Sequence, residues 1–127
     1  MTGRLRCVVL DCPDSRRLAG FYRELLGGEV EAPDPGLAVG EGSAVLRDAH
    51  GPVLAFQDVA DHRPPVWGAP EQQFLLDVRV PDPEAAHAEV LALGAVPLGA
   101  VPCGADGEPL WRVYADPAGH PFRLMGP

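Results

Sequence analysis

Asp77 and Arg123 are the side chains of this sequence best placed to act on another molecule. Asp77 and Arg79 alternate with Phe74, Leu76, Val78 and Val80. Side chains in a strand point to opposite faces in turn, so the apolar set is expected to pack under a helix while Leu75, Asp77 and Arg79 face the other way. Arg123 alternates in the same manner with Phe122 and Leu124. A guanidinium can grip a carboxylate or carbonyl through parallel N–H donors. A carboxylate can accept a hydrogen bond or take up a proton as a general base, which makes Asp77 the candidate catalytic residue. The competing reading is that Asp77 and Arg123 pair with each other, or with Asp11 and Arg79, as an ion network. Both readings stand at this level.

Other chemistries are excluded by what the chain lacks. All ten basic residues are Arg, and there is no Lys, so Schiff-base catalysis and a GxxxxGK phosphate loop are ruled out. Thr2, Ser15 and Ser43 form no GxSxG elbow. The histidines His50, His62, His87 and His120 fall in two turns, a polar bridge and a helix, with no HxH or HxxxH spacing. They are expected to be solvated or to stabilise turns, since a metal site needs three or four convergent ligands. Cys7 and Cys12 are five apart and point to opposite faces of a strand, which argues against a shared zinc, and Cys103 stands alone in a loop. Cys7 reads most simply as a small buried hydrophobe.

At 127 residues, 46% hydrophobic and 22% charged, the sequence suits a single domain with a real core. A formal charge of −8 repels polyanions, so nucleic acid and anionic membrane are not expected partners. The apolar run Cys7–Leu10 is too short for a signal segment, and no stretch approaches the roughly 18 apolar residues of a membrane span. An odd number of cysteines without secretory context points to reduced thiols and a cytoplasmic location.

The elements that would carry these residues are repeated. A strand over Cys7–Leu10 leads to Asp14, a helix cap, and then to a helix ending near Leu26 before Gly27-Gly28. Its apolar positions Leu18, Phe21, Tyr22 and Leu25 form one face. A shift of 68 residues carries Asp14 onto Asp82 and Leu18, Tyr22 and Leu25 onto Ala86, Val90 and Leu93. It also lays Asp48-Ala49-His50-Gly51 over Asp116-Pro117-Ala118-Gly119. One offset fitting strand, helix and turn predicts a duplicated βαβββ unit. Module 1 spans about residues 1–60, a Pro-rich bridge covers 61–70, and module 2 covers about 71–127.

With that duplication the chain resembles the vicinal oxygen chelate superfamily, the glyoxalase and bleomycin-resistance-like proteins. The resemblance rests on Phe21-Tyr22-Arg23-Glu24-Leu25-Leu26-Gly27, Leu54-Ala55-Phe56-Gln57, Pro70 to Asp77, Leu93-Gly94-Ala95 and Asp116 to Phe122, in that order. It implies an α+β fold of two tandem βαβββ modules, a cupped mixed sheet with helices outside, and a cavity for a small molecule or metal. The superfamily's metal positions fall by motif on Cys7, Ala55, Leu75 and Arg123. Related proteins commonly read His-Leu-Asp where this chain has Leu75-Leu76-Asp77. Alanine and leucine offer no lone pair and arginine repels a divalent ion, so no metal and no other cofactor is expected.

The expected function is metal-free binding of a small organic molecule in the cup. Its lining would be drawn from Cys7, Val9 and Asp11 in module 1, from Leu75, Arg79 and Arg123 in module 2, and from the aromatic residues Trp111 and Tyr114 in a strand beside the cup. A metal-independent lyase or isomerase using Asp77 is the alternative, and a non-catalytic member with a filled cup is the third reading. A homodimer is expected, because the resembling proteins commonly pair modules across chains.

Overall fold

Each opening strand runs into an aspartate that starts a helix, and the two starts are built alike. The computed structural model describes residues 2–32, 42–49, 51–100 and 111–127, the side chains of Ala100 and Trp111 excepted. Expectations for His50 and Cys103 fall outside these residues. The chain divides into two units, Met1–Arg63 and Pro64–Pro127, the boundary falling within the Pro-rich bridge.

In the first unit the order is β1 (Val8–Cys12), α1 (Ser15–Leu26), β2 (Glu29–Glu31), β3 (Ser43–Arg47) and β4 (Leu54–Asp58). The Asp14 side chain accepts from the Arg17 amide at 3.1 Å, satisfying one of the donors that every helix start leaves open. Asp58, from β4, accepts from the Ser15 amide at 2.6 Å, tying the same helix end to the sheet. At its other end α1 stops at Gly27, whose φ of 77° few other residues adopt. The sheet order is β1-β4-β3-β2, with β1 parallel to β4 and the remaining pairs antiparallel. Leu18, Phe21 and Tyr22 face this sheet, and Tyr22 stacks on Phe56 at 5.8 Å between ring centres.

The second unit repeats the plan as β5 (Leu76–Arg79), α2 (Pro83–Ala92), β6 (Val96–Ala100), β7 (Trp111–Ala115) and β8 (Pro121–Met125), in the order β5-β8-β7-β6. Asp82 caps α2 by accepting from the Glu84 and Ala85 amides at 3.1 and 3.2 Å. The 68-residue offset reproduces the pairing itself: Val8 opposite Leu54 becomes Leu76 opposite Phe122, and Ser43 opposite Gln57 becomes Trp111 opposite Met125. Both sheets are mixed and neither is a closed barrel. Buried Asp116 holds the turn before β8, its carboxylate accepting from the Ala118 and His120 amides at 2.8 and 3.0 Å.

Two expectations are corrected here. Phe74 does not join the helix-facing set, because β5 begins only at Leu76 and Phe74 is 86% exposed. His87 is not a solvated surface residue: its Nδ1 lies 2.7 Å from the Tyr114 hydroxyl, joining α2 to β7.

Candidate functional site

The face opposite each helix is where strand alternation puts the expected ligand-contacting side chains, and the two units furnish it differently. In the first unit Val9, Ala55 and Val45 lie side by side across β1, β4 and β3. Ala55 and Val45 are fully buried, with Cys7 and Val53 packed against them. Val9 is 41% exposed, and Asp11, two residues along β1 and opposite Gln57, is also exposed. Arg47 donates to Glu31 at 2.6 Å on this face, a diagonal pair two residues off direct opposition.

The same row in the second unit holds Asp77, Arg123 and Val113 across β5, β8 and β7. Asp77 and Arg123 are direct cross-strand partners. Arg123 donates through Nε to one carboxylate oxygen of Asp77 and through Nη2 to the other, a bidentate pair. The pair is open to solvent, its side chains 25% exposed for Arg123 and 48% for Asp77. Of the two readings left open by the sequence, mutual pairing is therefore the resting arrangement. Arg79 points the same way from β5, exposed, two residues beyond Asp77.

The hydrogen bonds from Arg123 hold the Asp77 carboxyl below the ordinary aspartate range, its charge adding to them and partial burial opposing. A depressed folded-state value stabilises the fold above the unfolded aspartate pKa, about 3.9, and that contribution fades as pH falls through the folded value. Its size is small, because the pair is largely solvated. Titration of the Asp77 carboxyl carbon by NMR is expected to give a midpoint below that of a free aspartate; a midpoint at or above it would show the pair broken in solution. A carboxylate whose pKa is lowered is a weaker proton acceptor near neutrality.

Tyr114 is placed differently from its expected role as a ligand wall. It lies on the helix side of the sheet, stacked on Phe122 at 5.4 Å and bonded to His87. Burial raises its pKa, with Arg112 partly opposing. Beside it Arg112 donates to Glu84 of α2 at 2.7 Å. Strand phase is the signal that could have found this: two residues beyond Arg112 and opposite Phe122, Tyr114 must share the face of Phe122. The backbone of Trp111 opens β7, but its side chain is outside the described residues. Leu75, the residue before β5, is half-buried.

The donor set is a poor match for a metal. Of the four positions implied by the resemblance, Ala55 is enclosed in an apolar cluster, Cys7 packs against it, Leu75 has no donor atom, and Arg123 is a cation bonded to Asp77. Among the described residues no three His, Cys, Asp or Glu side chains converge on a point. These residues do not fit a divalent ion.

Residues 7–125 match the family described as the glyoxalase-like domain. The chain belongs to that family. Among curated proteins none matches the sequence. Solved structures share the glyoxalase-like fold at low identity. The fosfomycin resistance protein FosX from Listeria monocytogenes aligns with a TM-score of 0.70 at 12% identity, covering 100% of this chain and 95% of its own. A hypothetical protein from S. aureus aligns at 0.67 and 14%, covering 100% and 99%. A glyoxalase/bleomycin resistance protein/dioxygenase family enzyme from Burkholderia phytofirmans PsJN aligns at 0.66 and 19%, covering 98% of each. The glyoxalase-like domain here therefore keeps the superfamily's fold while placing an ion pair and an apolar cluster where the resemblance expects ligands. No helix among the described residues is long and apolar enough to cross a membrane.

Proposed function

We propose that this glyoxalase-like protein binds a small organic molecule without a metal, using the helix-distal face of the second unit. The observation that carries this is the solvent-reachable Asp77–Arg123 pair on a sheet face whose opposite side is packed by Phe122 and Leu124. A polar pair set beside Val113, Met125 and Pro121, with Arg79 exposed on the same face, offers oriented donors and acceptors next to apolar groups, the usual make-up of a small-molecule site. Cys7, Val9 and Asp11 supply the corresponding face of the first unit. The names of the FosX and bleomycin-resistance neighbours, which concern small molecules, are consistent with this reading.

Catalysis by Asp77 as a general base is the weaker reading, because its proton-accepting form is already committed to Arg123. One observation favours a partly filled cup: Val45 and Ala55 are wholly buried on the first unit's helix-distal face. The protein is further proposed to work in the cytoplasm as a homodimer, without nucleic acid or membrane partners.

Native mass spectrometry of the purified protein, run beside elemental analysis, tests the proposal. A retained organic mass, lost on Arg123→Ala, with no stoichiometric metal is the expected result. Near-stoichiometric manganese, iron, nickel or zinc would overturn the metal-free assignment. Light scattering tests the dimer, which a clean 13.4 kDa species would remove.

A further inference from the structure

The second unit contains three arginines, Arg79, Arg112 and Arg123, all of them on strands, and acidic residues outnumber them across 64–127. Two are taken. Arg112 donates to Glu84, and Arg123 holds both carboxylate oxygens of Asp77 and makes a further interaction besides. The Arg79 side chain, exposed on β5, makes no ion pair or hydrogen bond among the described residues. Nothing in the backbone demands a cation there. The equivalent position of the first unit, in the same parallel register, is Asp11 opposite Gln57, where the second unit sets Arg79 opposite Met125.

We infer that Arg79 recognises a single carboxylate on the ligand, which makes the ligand of this face an organic monoanion whose apolar body lies along Met125. The inference deepens the ligand-binding reading above and rests on it. The two guanidinium cations of Arg79 and Arg123 and the one carboxylate of Asp77 leave the face with a net positive charge, in a chain of formal charge −8. That local sign favours one negative charge, while the acidity of the whole chain and the neighbouring Asp77 work against a dianion. A guanidinium presents its N–H donors as a planar fork, which suits the two coplanar oxygens of a carboxylate. Residues two apart on a strand are separated by roughly 7 Å, so Asp77, drawn to its cross-strand partner, leaves the end of Arg79 to solution. Directly opposite Arg79, half-buried Met125 supplies a thioether that adapts to an aromatic or aliphatic body. An ion pair in solvent contributes little by itself, so charge sets the choice among ligands and apolar contact supplies the rest of the affinity.

Benzoate, benzamide and benzamidinium, three probes of one shape and different charge, test this by NMR titration into the whole protein and its variants. The native protein is expected to bind benzoate most tightly. Arg79→Gln should weaken benzoate by about fivefold and leave benzamide unchanged, the signature of a lost charge rather than of a disturbed sheet. Arg79→Glu reverses the sign of the face and should make benzamidinium the preferred probe. Arg16→Gln removes an exposed arginine of α1 and should change none of the three affinities.

A native preference for benzamide or benzamidinium, a benzoate affinity untouched by Arg79→Gln, equal losses of benzoate and benzamide in that variant, or the same loss of benzoate in Arg16→Gln would each overturn the inference while leaving ligand binding in place. Failure of every form to bind any of the three probes would instead overturn the ligand-binding reading, and the inference with it.

Discussion

Gly28→Ala is expected to destabilise the protein by about 2–6 kcal/mol, the sum of two penalties of about 1–3 kcal/mol each. The first is conformational. Gly28 has φ +90°, where a side chain is strained whatever the space around it. The second is steric. A Cβ built there would lie 2.7 Å from the Ala49 amide nitrogen and closer still to the Arg47 carbonyl oxygen. Both are backbone atoms, so nothing flexible can move aside. Gly28 sits where α1 hands the chain to β2, directly before Glu29, which pairs with Arg47. Relief of the clash must therefore pull β2 from β3. The contrast is Gly20→Ala within α1, where an added Cβ meets nothing within 4 Å. That change should stabilise by about 0.5–1 kcal/mol through helix propensity. Urea midpoints of the two variants, compared with the parent, check the pair; equal effects would mean that the α1–β2 junction is not held as described.

Phe56→Ala is expected to lower stability by about 3–5 kcal/mol. Phe56 is fully buried in β4, where it stacks on Tyr22 of α1, and Tyr22 meets Phe21 edge-on at 5.1 Å. Truncation removes the transfer free energy of the ring and the aromatic contact, and leaves a cavity between two elements that Asp58 and the Ser15 amide already fix. Collapse of that cavity is restricted, which places the cost toward the upper end. Native domains are stable by only about 5–15 kcal/mol, so the loss is a large fraction of the whole. A drop below about 1 kcal/mol by chemical denaturation would show that α1 does not seal this sheet.

Much of the architecture was legible because its signals are local and repeated. Asp14 and Asp82 announce their helices by residue type, and the offset between them carries the strand pairing without adjustment. The outward placement of Asp77, Arg79 and Arg123 followed from alternation with apolar neighbours. Membership of the glyoxalase-like family was legible for the same reason.

What escaped the sequence depends on partners remote along the chain. Whether Asp77 meets Arg123 or Arg79 turns on a parallel register across 46 residues, which alternation does not specify. Tyr114 was placed beside the cup because the phase of β7 had no apolar alternation to anchor it; a residue sharing its face is the charged Arg112, which donates to Glu84. Phe74 continues the apolar pattern of β5 without entering the strand, since hydrophobic spacing does not say where pairing begins.

The helices, finally, are held unequally. Five residues of α1 are buried, from Ser15 to Tyr22, whereas α2 buries Val90 alone and otherwise reaches its sheet through Glu84–Arg112 and His87–Tyr114. An exposed tether such as Glu84–Arg112 exchanges readily with water, and the rest of α2 offers far less buried side-chain surface than α1. Amide protons of α2 should therefore be the first helical protons replaced by deuterium under native conditions, through openings that leave α1 protected and divide the molecule into an early and a late cooperative segment.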